Sequence, residues 1–166
     1  MGHCKRKQAW VSDYLGNINW PKDLTQLIHE CSHLNNVRLS GSGDLQQRHV
    51  HALHLLAEAC PDTVFWGMTR KPEIADKVNN RVKNLKLLVT VDHTSPDSTW
   101  FYDGAMCFGP RMPEDTVLPD DDRILVVFPY HFRGKVARGV QTHPKDCQAV
   151  WHKITGCRQC GRCWKW

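Results

Sequence analysis

From about residue 36 onward, the apolar positions of the chain switch repeatedly between two periods. Residues 36–40, 63–69, 85–91 and 124–129 are short, largely apolar runs, which predicts strands. Between the first two, apolar residues recur at Val50, Leu53, Leu56, Ala57 and Cys60, the helical period over 47–60. Pro72 suits the first turn of a further helix, which would turn Ile74, Ala75 and Val78 inward. Strand, helix, strand, helix, strand is the pattern of crossover units around a parallel sheet. An earlier helix is predicted to open at Trp20-Pro21-Lys22-Asp23 and to carry Leu24, Leu27, Ile28 and Cys31. Residues 93–122 are rich in Pro, Asp, Gly and Ser and predict loop, with one short element near 105–108 and a turn or helix opening at Asp120-Asp121-Asp122. The chain thus divides into an N-terminal helical segment (1–35), an α/β core (36–132) and a cysteine-rich tail (133–166).

At 166 residues the chain is long enough for one compact core without a metal to hold it together. Its net charge of +5 is a mild basic bias, well short of the dense stripe of a dedicated nucleic-acid binder. Lys5-Arg6-Lys7, Arg158 and Arg162 are read first as solvated surface charge. The first twenty residues hold Trp10, Asp13 and Asn17 where a signal peptide needs an apolar run, and no apolar stretch is long enough to span a bilayer. Eight cysteines without a secretory signal point to a reducing compartment, so a cytoplasmic location is expected.

The cysteines are unevenly placed. Cys31, Cys60 and Cys107 sit in apolar or helical contexts and read as small core residues, whereas Cys147, Cys157, Cys160 and Cys163 crowd the tail. Cysteines two residues apart can turn onto one metal centre, and a fourth thiolate from farther away completes the set that zinc or a four-iron cluster requires. Structural zinc usually takes two separated knuckles, while here the knuckles overlap in one Cys-x-x-Cys-x-x-Cys run, the way three ligands wrap one face of a 4Fe-4S cluster. A 4Fe-4S cluster is the leading reading and zinc the alternative, with a disulfide or a metal-free tail behind both. Trp151, Trp164 and Trp166 beside such knuckles either pack against the domain or contact a partner, in which case a host protein or nucleic acid is the expected class.

In parallel sheets, ligands bind beyond the carboxyl ends of the strands. Those ends are polar here: Ser40-Gly41-Ser42-Gly43-Asp44, Thr69-Arg70-Lys71, Asp92-His93 and Tyr130-His131. Glycines let backbone approach a ligand and expose amides, Asp44 can accept from an ammonium or a ribose hydroxyl, and Arg70 and Lys71 can hold a carboxylate or phosphate. Ser40, Gly41, Ser42, Gly43, Asp44, Arg70 and Asp92 are therefore the candidate cofactor-binding residues. The plainer reading makes the first segment a turn with Asp44 as a helix N-cap, and Asp92 a strand terminus. The segment has neither the Lys-Ser/Thr ending of a Walker loop nor the third glycine of a dinucleotide fingerprint. His29 and His33 have ligand spacing on the first helix without the Glu of a protease motif, and most of the ten histidines are read as surface or core residues.

Arg38-Leu39-Ser40-Gly41-Ser42-Gly43-Asp44, Phe65-Trp66-Gly67-Met68-Thr69-Arg70-Lys71-Pro72, Val91-Asp92 and the closing Cys157-Arg158-Gln159-Cys160-Gly161-Arg162-Cys163-Trp164 resemble the later portion of radical-SAM-like proteins encoded by phages and other mobile elements. The resemblance covers roughly residues 36–164. It implies a partial parallel (βα) barrel whose glycine-rich strand end holds the methionine amino group of S-adenosylmethionine, with Ser42 and Asp44 in that role by position. It also implies that the tail cysteines hold an auxiliary cluster. The chain departs from the pattern at its start, where Gly2-His3-Cys4 stands in place of the Cys-x-x-x-Cys-x-x-Cys that leaves one iron open for the cofactor, so reductive cleavage of S-adenosylmethionine is not expected. No catalytic residue is assigned from the sequence.

Overall fold

The computed structural model describes residues 22–39, 44–92, 94–109, 121–128, 131–132, 135–136, 145, 147 and 163. The protein is α/β, with a parallel sheet of five strands in the order β1-β2-β3-β4-β5. The strands are β1 (Asn36–Arg38), β2 (Val64–Thr69), β3 (Leu85–Val91), β4 (Met106–Phe108) and β5 (Ile124–Val127). A short antiparallel pair, β6 (His131–Phe132) with β7 (Lys135–Val136), forms a separate sheet. The helices are α1 (Lys22–Cys31), α2 (Gln47–Ala59), α3 (Pro72–Asn79) and the four-residue α4 (Asp97–Trp100). The chain forms two compact units, Met1–Leu87 and Leu88–Trp166.

In the first unit α2 packs against both α1 and α3. Val50, Leu53, Leu56 and Ala57 are buried along α2, as their spacing requires, and Leu27 and Cys31 are buried on α1. Cys60 N donates to Leu56 O at 3.1 Å to end α2, and Pro61 follows where the helix cannot continue. β1 registers in parallel with β2, Asn36 opposite Val64 and Arg38 opposite Trp66, and the Arg38 guanidinium lies 5.4 Å over the Trp66 ring. Gly67 sits where a Cβ would come within 3.1 Å of both Leu39 Cβ and Leu87 Cδ2, so the absent side chain admits two core leucines.

Two polar side chains fasten the connections of this unit. Thr63 Oγ1 is hydrogen-bonded to Cys31 O at 3.0 Å and Leu34 O at 2.8 Å, which ties the end of α1 to the start of β2. Asn84 Nδ2 is within 3.0 Å of the carbonyls of Ala57, Cys60 and Thr63, satisfying acceptors that the end of α2 leaves behind.

In the second unit β3 pairs with β4 and β4 with β5, both in parallel. Within the segment 105–108, expected as one short element in a loop, Met106–Phe108 form an interior strand with all three residues buried. Arg123 holds the loop before it: Nε and Nη2 grip Asp121, while Nη1 donates to Tyr102 O at 2.6 Å and Nη2 to Trp100 O at 3.0 Å. This bidentate pair holds the Asp121 carboxyl below the ordinary carboxylate range and raises the Arg123 guanidinium. Asp121 Oδ1 also accepts from Arg123 N at 2.9 Å, so Asp121-Asp122 lead into a turn and open no helix. Val127 turns its amide and carbonyl away from β4, and both are used: Val127 N donates to Lys145 O and Cys147 N donates to Val127 O, each at 2.8 Å. These two bonds bring Lys145 and Cys147 to the outward side of Val127 in β5.

Candidate functional site at the strand ends

β1 and β2 lie side by side, so the turns that follow them meet. Asp44 stands in the turn after β1, half-buried, and its carboxylate reaches the end of β2. Oδ1 accepts from Leu45 N at 2.8 Å and from Thr69 Oγ1 at 2.5 Å, and Oδ2 accepts from Arg70 N at 3.1 Å. Thr69 is buried, and the oxygen that donates to Asp44 accepts in turn from Lys71 N at 3.1 Å. The result is a continuous set of hydrogen bonds from the turn after β1, through Thr69, to the start of α3.

The N-cap of α2 is Gln46, not Asp44. His49, three residues on, completes that helix start by accepting from Gln46 N at 3.2 Å through Nδ1. Burial lowers the His49 pKa, and the charges of Arg48 and Lys71 push it the same way, so the ring stays neutral and keeps Nδ1 as an acceptor. Asp44 is left to face β2 because the cap is supplied by other groups. Among the described residues the carboxylate receives three hydrogen bonds. A carboxylate accommodates about four, so it can brace the turn and still accept from one cationic donor.

The other predicted residues divide by where they fall. Arg70 contributes its backbone N–H to Asp44, while its side chain is exposed at the same strand end. Ser40, Gly41, Ser42 and Gly43 lie outside the described residues, as do His93 and Tyr130. Asp92, in the second unit, is buried just after β3. Its Oδ1 accepts from Thr94 N at 2.9 Å and Thr94 Oγ1 at 2.6 Å, and its own N–H donates to Ser95 Oγ at 2.9 Å. Those are the bonds of an Asx turn, which reverse the chain after a strand.

Of the proposed metal ligands, Cys147 is half-buried beside β5 and Cys163 is buried, while Cys157 and Cys160 lie outside the described residues. Cys31, Cys60, Cys107, Cys147 and Cys163 are thiols, none in a disulfide. The first three are core residues, as their contexts suggested. Burial, helped by Cys60 and Glu30, pushes the Cys31 thiol up to about 12, and burial raises Cys60 as well. Both therefore stay protonated at neutral pH and poorly suited to ligation. Among the described residues no group of three or more His, Cys, Asp or Glu side chains is arranged to hold a metal ion.

Thr69 is the functional neighbour that sequence reading passed over. A threonine at the end of an apolar run reads as a strand residue, and only the pairing of β1 with β2 reveals its hydroxyl as the partner of Asp44.

These features define an α/β protein with a parallel sheet and a carboxylate-centred polar site at its strand ends. The chain belongs to the family described as Gene product 88, whose model matches residues 3–166. No curated protein and no solved structure matches it. No helix among the described residues is long and apolar enough to cross a membrane.

Proposed function

We propose that the protein is an iron-sulfur protein of phage or mobile-element origin, derived from a radical-SAM-like enzyme and retaining that ancestry's strand-end site. The observation that carries the reading is the position of the Asp44 carboxylate, held by Thr69 Oγ1 and Arg70 N where two adjacent parallel strands end. An ammonium group is the natural extra partner for such a carboxylate, and the glycines at 41 and 43 would bring exposed amides beside it. S-adenosylmethionine carries an ammonium and a carboxylate on one carbon, so Asp44 would take the first and the basic pair Arg70 and Lys71 the second. The strand order, which steps from each strand to its neighbour without reversing, supports a partial barrel.

Cys147, Cys157, Cys160 and Cys163 would hold the cluster. The thiol state of Cys147 and Cys163 fits a thiolate-ligated group, because a disulfide at either position would remove the ligand. A four-iron cluster supplies one-electron transfer when bound. The chain's own contribution is to anchor the ligand segment: Cys147 donates its backbone N–H to Val127 O, which holds its backbone beside β5.

The test is the iron, sulfide and zinc content of protein purified without oxygen, read with its visible spectrum. About four iron and four sulfide per chain, with broad visible absorption, are expected. A colourless protein holding zinc overturns the iron-sulfur reading and makes the tail a structural clamp on a protein that binds a host protein or nucleic acid.

A further inference from the structure

We propose that the C-terminal end of α1 and the turn that follows it carry a second, independent metal site, in which His29 and His33 chelate a late first-row divalent ion such as nickel, copper or zinc. α1 turns Leu27 and Cys31 into the core and leaves His29 and Glu30 exposed, and His33, also exposed, follows in the turn after the helix. Ser32 N still donates to Ile28 O at 2.9 Å, so the chain keeps a helical course past Cys31 and brings His33 near His29. Here the two imidazoles are in contact, with ring centroids 5.5 Å apart and planes at 84°.

Two imidazoles bound to one ion at about 2.0–2.1 Å place their donor nitrogens roughly 3 Å apart. Exposed rings already in edge-to-face contact reach that geometry by rotating their side-chain torsions, with no movement of backbone. The backbone at this point is fixed: Ser32 N donates to Ile28 O and Leu34 N to Cys31 O, each at 2.9 Å, and Ser32 Oγ donates to His29 O at 3.0 Å. The site also lies at the negative end of the helix dipole, which favours a bound cation.

Glu30 is the neighbouring carboxylate, but Gln26 Nε2 donates to its Oε1 at 3.2 Å and holds it along the helix. The chelate therefore has two protein ligands, and water fills the remaining positions. Neutral imidazole pairs select nickel, copper and zinc over the hard cations magnesium and calcium. The donor set differs from the thiolates of the tail, and the site stands whether or not the tail holds a cluster.

The probe is Ni2+, titrated into the full chain while the imidazole proton resonances are followed by NMR. His29 and His33 are expected to broaden together at substoichiometric nickel, because one paramagnetic ion sits against both rings. His33→Ala is expected to weaken nickel binding at His29 at least tenfold by removing the chelate. Both side chains are exposed, so the variant keeps its fold, which circular dichroism checks. If the two rings respond at different nickel concentrations, or if the parent and His33→Ala titrate alike, the chelate does not exist. Broadening confined to other histidines overturns the proposal equally.

Discussion

Thr69 Oγ1 donates to Asp44 Oδ1 across 2.5 Å and joins residues 25 apart in the chain. The hydroxyl is buried, and its second bond, from Lys71 N, makes it the hinge between the turn after β1 and the start of α3. Thr69→Val keeps the shape and removes both bonds. A loss of about 1–3 kcal/mol is expected from urea denaturation, and Thr69→Ser should recover most of it. Equal midpoints for Thr69→Val and the parent would show that the hydroxyl braces nothing.

Asp44→Asn tests ligand binding at a known structural cost. The amide oxygen can still accept from Leu45 N and Thr69 Oγ1, but the NH2 that replaces Oδ2 cannot accept from Arg70 N, so about 1–3 kcal/mol of stability should be lost as well. Calorimetric affinity for S-adenosylmethionine should fall at least tenfold. A parent protein that binds none, or an Asp44→Asn variant that binds as well as the parent, would retire the strand-end site as a cofactor site.

Cys160→Ser addresses the tail. Removal of one of four thiolates should abolish visible absorption and most of the iron in anaerobically purified protein. Metal content equal to that of the parent would remove Cys160 from the ligand set.

His49 and His54 make the fold sensitive to acid. Both are buried and have lowered pKa values: in His49 burial leads, followed by Arg48 and Lys71. In His54 burial and Arg81 outweigh the opposing pull of Glu58 and the backbone of Val78 and Lys77. Above about pH 6.5 both are neutral whether the chain is folded or not, and stability is full. Below it the unfolded chain takes up protons that the folded chain resists, so stability should fall as pH drops from 6.5 toward the lowered folded pKa values. His54 Nε2 is also buried with no hydrogen-bond partner among the described residues. His54→Met should therefore flatten the pH dependence of urea midpoints between about pH 7 and 5, and an unchanged slope would count against this account.

Gly109 follows β4 at φ +141, and a Cβ there would lie 2.7 Å from Phe128 Cβ and 2.9 Å from Phe128 O. Gly109→Ala combines backbone strain with a clash against the bond from Phe128 N to Phe108 O. It should cost about 2–4 kcal/mol, readable as a lower thermal midpoint.

The parts of this fold visible in the sequence are those governed by local periodicity. The repeat through Val50, Leu53 and Leu56 gives α2, and the largely apolar run of β3, broken only by the part-exposed Lys86 and Thr90, marks a mostly buried strand, with Leu85, Leu87, Leu88, Val89 and Val91 all inaccessible. β1 was expected over 36–40 and is assigned as Asn36–Arg38, although Leu39 N still donates to Trp66 O at 2.7 Å. β4 is three residues between polar loops, too short to carry a period, and its place between β3 and β5 is set by pairing with strands remote in sequence. α4, four residues long, was not foreseen for the same reason, nor were β6 and β7. At the site, the polarity of the strand ends was legible and drew attention to Asp44 and Arg70. That Arg70 serves Asp44 through its backbone, and that Thr69 rather than a helix start receives the carboxylate, depends on register between β1 and β2, which no local pattern encodes.

The pairing of Val127 with Lys145 and Cys147 has a bearing on how the protein survives in a cell. A strand whose outward amide and carbonyl lack partners is a template for intermolecular pairing. Because Lys145 and Cys147 occupy those groups of Val127, cleavage between β5 and Lys145 would leave that amide and carbonyl unpaired once the downstream piece was lost. The same two residues that bring a tail cysteine beside the sheet thus cover part of an edge that would otherwise invite self-association.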